Sequence, residues 1–234
     1  KRASRDAVVA ATTCTQNLAY LDVARGRYPK AEDALTRILA QRVEVLGAND
    51  ERTRATALAL ATMWTETGRY REAEHLYDDL WETGAGEPDR GTVANNRGVL
   101  ERLIGDHPRA RQRFDDARAW LGELPAEEVP VALAAAVIGN IAHLWASEGR
   151  HPEAIEGFRA ALQLLETRYG QEHDARPALL ALLAETLVDA GDMEAAGREA
   201  EQALAAVRAL FGTPHALEVD LGITRARAER AQGA

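Results

Sequence analysis

The chain has 234 residues, 46% of them apolar but only 5% aromatic, and a net charge of −9 with a pI near 5.3. This acidic balance disfavours nonspecific binding to nucleic acid or to anionic membranes, because both need clustered Lys and Arg. The single cysteine, Cys14, excludes an intramolecular disulfide framework and a multi-cysteine zinc site.

The sequence predicts neither a secretory leader nor a membrane span. Its first eleven residues lack the apolar core of a signal peptide, and the most apolar stretch, Val129 to Ile138, is too short to cross a bilayer. We therefore expect a soluble, cytoplasmic protein with no membrane partner. The chain begins with Lys1 rather than methionine, which leaves open that it belongs to something longer.

The first two predicted helices form a unit that the rest of the chain repeats. A helical pattern runs from Asp6 to Ala24 and is stopped by Gly26, since glycine tolerates the left-handed conformation common just past a helix end. Pro29 then stands in the first turn of a second helix that runs to about Val45. Each unit is thus predicted to be two helices joined by a tight turn.

The same pattern continues to the end of the chain. It predicts helices, in order, over Ala57 to Glu66, Tyr70 to Trp81, Thr92 to Leu103, Pro108 to Trp120, Ala132 to Ser147, Pro152 to Arg168, Pro177 to Ala190, Met193 to Leu210 and Ala216 to Gln232. Loops are predicted at Gly84 to Pro88 and at Leu121 to Pro130. The composition and the pattern together indicate an all-α protein.

A short phrase marks the turn of each unit. It reads Arg-Gly-Arg-Tyr-Pro-Lys-Ala around Gly26 and Thr-Gly-Arg-Tyr-Arg-Glu-Ala around Gly68, with weaker copies around Gly105, Gly149 and Gly191. The intervals between these glycines are 42, 37, 44 and 42 residues, and an alanine follows each glycine by five positions. A near-fixed period of this size indicates a repeat array.

Aligning the units on their turn glycine reveals columns of similar residues. Seven positions before the glycine stand Ala19, Ala61, Gly98, Ala142 and Ala184, and nine after it stand Leu35, Tyr77, Phe114, Phe158 and Ala200. We expect the small residues to let the two helices of a hairpin touch, while larger ones fill the gap to the next hairpin. In the first helix we expect Val9, Leu18, Ala19 and Leu21 on the buried side.

These columns resemble the tetratricopeptide repeat (TPR), whose signature pairs Leu-Gly in the first helix with an Ala-x3-Phe step in the second. The matching residues are Leu18-Ala19, Leu60-Ala61 and Ile141-Ala142, then Ala73…Tyr77, Ala110…Phe114 and Ala154…Phe158. The long period is similar to the kinesin-light-chain type. The resemblance implies a right-handed superhelical solenoid of antiparallel helix pairs.

We interpret the whole chain, 1–234, as one array. Its predicted repeats are 1–47, 48–86, 87–126, 127–170 and 171–212, followed by a capping helix or truncated sixth repeat at 213–234.

Proteins similar to this bind peptides or other proteins in a concave groove lined by the first helix of each pair. The resemblance implies groove positions at Asn17, Asn96 and Asn140, whose carboxamides match the hydrogen-bonding groups of an extended peptide backbone. It also implies Tyr20 and His143 one turn further along, with Asn95 and Arg102 as neighbours. Packing against the adjacent repeat is the alternative role for each asparagine. No lysine occupies the column of Thr13, which disfavours a clamp for a ligand's C-terminal carboxylate.

No set of acid, base or nucleophile converges in the sequence, so we expect no enzyme activity, no cofactor and no metal. Cys14 is interpreted as a small packing residue. The leading hypothesis is a noncatalytic interaction scaffold with a protein or peptide ligand. The alternative, since similar arrays accompany them, is the sensor or substrate-recruiting region of a larger bacterial signalling enzyme (a kinase, a STAND ATPase or a caspase-like protease).

Overall fold

A computed structural model describes residues 2–84, 89–211 and 216–232, and every regular element in these ranges is an α-helix. The helices are α1 (Arg2–Ala24), α2 (Tyr28–Leu46), α3 (Glu51–Glu66), α4 (Tyr70–Thr83), α5 (Arg90–Leu103), α6 (His107–Glu123), α7 (Val131–Ser147), α8 (His151–Tyr169), α9 (Arg176–Asp189), α10 (Met193–Phe211) and α11 (Ala216–Gln232). The all-α prediction is confirmed, and the helices alternate with short turns as expected.

The largest difference in helix bounds is at α3, which begins at Glu51 rather than at the predicted Ala57. Asp50 caps this helix, because its side chain accepts a hydrogen bond from the backbone N–H of Arg52 at 3.0 Å. Of the predicted loop at 84–88, residues 85–88 lie outside the described ranges.

The five phased turns share one backbone hydrogen-bond pattern. At the second turn, Gly68 has a φ of 78°, and the N–H of Arg69 donates to the carbonyl of Trp64 at 2.8 Å. The same bond, from the residue after the glycine to the carbonyl five positions earlier, recurs at 2.8–2.9 Å after Gly26, Gly105, Gly149 and Gly191, all with positive φ. This is the Schellman termination of a helix, and it confirms the left-handed glycine predicted from the sequence.

Two tryptophans one turn before these glycines, Trp64 and Trp145, are partly buried against the core clusters. The arginine after each glycine stacks on the indole, with Arg69 at 5.1 Å from the Trp64 ring centre and Arg150 at 5.2 Å from that of Trp145.

The chain divides into two compact units, Lys1–Arg113 and Phe114–Ala234, here called the first and second unit. In the first unit, consecutive helices from α1 to α5 pack in sequence, and two small apolar clusters fill the space between them. In the second unit, consecutive helices from α7 to α11 pack around one apolar cluster rich in alanine and leucine.

The small residues predicted to bring the helices of a hairpin together are buried. The alanines five positions after each turn glycine are fully buried or nearly so, and so are Ala19, Ala61, Ala142 and Ala184. The backbones approach closely at α7 and α8, where a Cβ added to Gly157 would lie 2.8 Å from the Cβ of Ala142. These positions therefore leave little space for a larger side chain.

The prediction that Leu18 and Leu21 are buried is wrong. They are 61% and 51% exposed, whereas Leu60 and Met63, which occupy the same two columns in the next repeat, are 1% and 2% exposed. The reason is a difference in neighbours. α2 packs on α3 and covers Leu60 and Met63, but no described helix packs on the equivalent face of α1.

Candidate ligand-binding groove

The first unit contains an open cavity of about 380 Å³ on the side formed by its first helices, α1, α3 and α5. Its walls are mostly apolar, with a few polar groups at defined positions. The lining residues are Tyr20, Val23, Leu35, Ala55, Leu58, Ala59, Thr62, Met63, Glu66 and Asn96.

Tyr20 lies at one side of the cavity and is anchored from behind by a buried polar network. Its hydroxyl oxygen accepts a hydrogen bond from Nε2 of Gln16, and the Oε1 of Gln16 accepts one from Nη1 of Arg42. Arg42 is buried in α2 and also donates to the hydroxyls of Thr12 at 3.0 Å and Thr56 at 2.7 Å. Burial lowers the pKa of this guanidinium, because the charged form loses solvation.

Asn96 lies at the opposite wall and links α5 to α3. Its Nδ2 donates to the hydroxyl of Thr62 at 3.0 Å, and its Oδ1 accepts from Nδ2 of buried Asn95 at 3.1 Å. The Thr62 hydroxyl lies 3.4 Å from that of Tyr77, which is fully buried. Burial, above all, raises the pKa of the Tyr77 hydroxyl. Asn96 therefore packs against the adjacent repeat and lines the cavity at the same time.

Glu66, in the last turn of α3, is the one acidic residue among the described residues that line the cavity. It is exposed to solvent, and within the described ranges its carboxylate has no hydrogen-bond or ion-pair partner. Partial desolvation by the surrounding residues raises its pKa. This residue was not predicted from the sequence. The available signal was its position four residues after Thr62, which places both on one face of the helix.

Arg102, in the last turn of α5, is partly buried, and this burial lowers the pKa of its guanidinium. Its Nε is shielded from solvent and finds no hydrogen-bond partner in the described part of the chain.

The remaining predicted groove residues fall in different surroundings. Asn17 is exposed on α1 and is not among the residues that line the cavity. Asn140 and His143 belong to α7 in the second unit, where both are partly buried and already interact with other residues of the chain. The structure thus places Tyr20 and Asn96 at one cavity, with Asn95 directly behind Asn96.

Other features singled out in the sequence provide no second site. Cys14 is exposed, so its interpretation as a buried packing residue is wrong. The imidazole of His173 contacts the carboxylate of Asp174 at 3.2 Å and packs against the ring of Tyr169. Among the described residues there is no group of three or more His, Cys, Asp or Glu side chains placed to hold a metal ion. In the same ranges, no helix has the length and apolar character needed to cross a membrane.

Comparison with known proteins finds a matching repeat family for part of the first unit. Residues 11–82 match the sequence model of the tetratricopeptide repeat family. None of the curated proteins is significantly similar to the chain in sequence.

Three solved structures illustrate the similarity in fold. A thermophilic TPR protein of Thermus thermophilus has a TM-score of 0.65 and 19% identity, covering 94% of this chain and 99% of its own. The TPR-like repeats of a putative kinesin light chain from Podosopora anserina have a TM-score of 0.60 and 19% identity, and the match covers 84% of this chain and 94% of that one. BtubC (BKLC) from P. vanneervenii has a TM-score of 0.60 and 17% identity, and the match covers 97% of this chain and 84% of its own.

Proposed function

Starting from a chain that contains tetratricopeptide repeats, we propose that it is a noncatalytic protein–protein interaction scaffold. Its ligand is an extended peptide segment of a partner protein, held along the first helices of the repeats. The observation that carries this proposal is the cavity of the first unit, where apolar walls surround the amide of Asn96 and the hydroxyls of Thr62 and Tyr20.

The hydrogen bonds of Asn96 leave capacity for a ligand. One hydrogen of its Nδ2 is used by Thr62, and one lone pair of its Oδ1 is used by Asn95. A carboxamide has two donors and two lone pairs, so one of each remains. An extended peptide backbone presents a C=O and an N–H side by side, and the amide of Asn96 can pair with both. Because its first two bonds fix the amide plane, little side-chain entropy is lost on binding.

Tyr20 and Arg102 complete the proposed recognition surface of the first unit. The bond from Gln16 holds the Tyr20 hydroxyl in place, so its ring can pack on ligand side chains without reorganising. We propose that the guanidinium of Arg102, in the last turn of α5, also contacts the ligand. We propose that Asn17 contacts the ligand beyond the cavity, and that Asn140 and His143 make the corresponding contacts in the second unit.

The proposal is tested by a pull-down from a lysate of the source cells, quantified by mass spectrometry. The parent chain is compared with a double variant, Asn96→Ala plus Asn140→Ala, and with a control, Asn49→Ala, which removes an exposed amide from the connection between α2 and α3. We expect the double variant to lose partners that the parent and the control retain.

Circular dichroism of all three chains checks that helical content is unchanged. Equal recovery of every partner by the double variant and the parent would contradict the proposal. The two single variants then show which unit holds the ligand.

A further inference from the structure

The charge of the cavity in the first unit is one-sided. Glu66 is its only acidic residue, and no Lys, Arg or His stands among the described residues that line it. The other polar groups of the lining are neutral at physiological pH. A ligand in this cavity therefore meets one negative charge, and none of the described lining residues supplies a positive charge.

Glu66 is exposed to solvent and therefore accessible to a ligand. Its carboxylate lacks an ion-pair or hydrogen-bond partner in the described structure, and partial desolvation raises its pKa above the ordinary value of 4.5. Its charge also reaches the next helix, because it adds to burial in raising the pKa of Tyr77. Several other carboxylates of the first unit form ion pairs with Lys or Arg side chains of the chain itself. Asp22, for example, pairs with Lys30 at 3.2 Å and also with Arg27. A cation brought by a ligand would give Glu66 the same compensation.

The apolar walls beside Glu66 fit the other part of such a ligand group. Leu58 and Ala59 are partly buried on α3, about two turns before Glu66, and line the same cavity. The side chains of Lys and Arg have apolar stems that pack along such surfaces while the charged head stays in a polar place. At about 380 Å³, the cavity is near the lower end of small-molecule sites, which suits one or two side chains.

The negative net charge of the whole chain also favours ligands that carry positive charge. A net charge of −9 raises the association rate of basic partners and disfavours acidic ones.

We propose that the cavity of the first unit selects partner segments that carry a lysine or arginine beside apolar residues, with the stem on Leu58 and Ala59 and the cation on Glu66. This inference rests on the proposed function, because it assumes that the groove holds a peptide. It adds the side-chain chemistry that the ligand must have.

The test uses fluorescent, acetylated and amidated peptides of the pattern Gly-apolar-X-apolar-Gly, where X is lysine, arginine, norleucine or glutamate and the apolar positions vary. Binding to the full chain is measured by fluorescence anisotropy at low salt. Two variants are compared with the parent. Glu66→Gln removes the charge in the cavity, and Glu82→Gln removes an exposed carboxylate from α4, the second helix of the same pair.

We expect the parent and Glu82→Gln to bind lysine and arginine peptides about tenfold more tightly than the norleucine peptides, and Glu66→Gln to lose this preference. The preference should also fall as the pH is lowered in the parent, since protonation of Glu66 removes the charge. Because the pKa of Glu66 is raised, the fall begins at a higher pH than for an ordinary glutamate.

The inference is overturned if the parent binds lysine and norleucine peptides equally, if Glu66→Gln keeps the preference, or if no basic peptide binds. The proposed function is judged separately. Binding that is insensitive to Glu66 but lost in Asn96→Ala removes only this inference, and the pull-down decides the proposed function without reference to Glu66.

Discussion

In the first unit, buried arginines connect consecutive helices through hydrogen-bond networks. In the second unit apolar side chains do most of this packing, and Arg176, paired with Glu166 at 3.0 Å, is the one buried arginine among its described residues. Arg42 and Arg54 are both buried, and each contacts groups on two other helices or their connections. In the second unit, the equivalent space is filled by alanines and leucines such as Ala161, Leu165 and Leu183.

The difference shows that the same helix pairs can be stacked in two ways. Apolar packing tolerates changes that conserve volume, while a polar network depends on each of its members. The first unit, which also contains the cavity, is therefore the more sensitive to single polar substitutions. This contrast can be tested by four predictions, taken in order of decreasing effect.

The largest effect is expected for Arg54→Ala in the first unit. Its guanidinium makes two bonds to Asp89, at 2.7 and 3.1 Å, and donates to the carbonyl of Leu80 at 3.0 Å and the hydroxyl of Thr83 at 3.1 Å. Removing one partner of a buried ion pair typically costs about 3–5 kcal/mol of the free energy of unfolding, because the other charge is left uncompensated. The measurement is urea unfolding, with hydrogen exchange locating the loosened helices.

The control for this variant is Arg37→Ala, which removes an exposed arginine that pairs with Asp33 at 2.8 Å. An exposed pair of this kind contributes at most about 1 kcal/mol. If the two variants unfold at the same urea concentration, the buried arginine does not stabilise the first unit and the contrast between the units fails.

The second prediction concerns a contact that both units share. Ala73 and Ala154 are fully buried in the same column of their repeats. Ala73→Leu and Ala154→Leu should each destabilise by about 1–3 kcal/mol through overpacking, since the neighbouring helix is too close to yield space. Ala160→Leu, at an exposed position of α8, is the matched control and should change stability by less than about 0.5 kcal/mol. A melting temperature of Ala154→Leu equal to that of the parent would contradict the close approach of the two helices.

The third prediction isolates one hydroxyl of the polar network. Tyr77 and Phe158 occupy the same column, and both are fully buried. Tyr77→Phe retains the ring and removes only the contacts of the hydroxyl, such as that with Thr62, so a loss of about 1 kcal/mol is expected. Urea unfolding of parent and variant measures it. An unchanged or higher stability would show that the first unit gains nothing from this hydroxyl and packs there as the second unit does.

The smallest effect is expected for Glu66→Gln. Its raised pKa means that the folded state holds the proton more tightly than the unfolded state does, so its contribution to stability falls as pH rises from 4.5 through the raised value. At pH values above the raised pKa, the ionised carboxylate lowers the free energy of unfolding by its full amount. The variant should be slightly more stable than the parent at neutral pH, by no more than about 0.5 kcal/mol because solvent screens a partly exposed group. Urea titrations at several pH values should show this difference shrink on acidification, and a variant less stable at neutral pH would contradict it.

The helices and turns could be predicted from the sequence because their signals are local. The turn glycines, the alanine columns and the apolar spacing each depend on residues within one hairpin. The prediction failed at Leu18 and Leu21, since periodicity shows which face of a helix is apolar but not whether another helix covers that face.

The site was only partly predictable. Column position indicated Tyr20 and Asn96, which line the cavity, but gave no reason to single out Glu66. The networks of Arg42 and Arg54 were missed altogether. An isolated arginine in a helix is usually exposed, and the groups that bury Arg54 come from positions 26 to 35 residues further along the chain.

The backbone hydrogen bonds of the turns affect how freely the sequence of such a chain can diverge during evolution. These bonds join backbone to backbone, so they place no demand on the side chains around the glycine. The phrase reads Gly-Arg-Tyr at one turn and Gly-Asp-Met at another, yet the bond across the turn differs by only 0.1 Å, from 2.8 to 2.9 Å. Duplicated hairpins can therefore drift at almost every position of the phrase, with the glycine and the alanine as fixed points, while the residues of the first helices diverge toward new ligands.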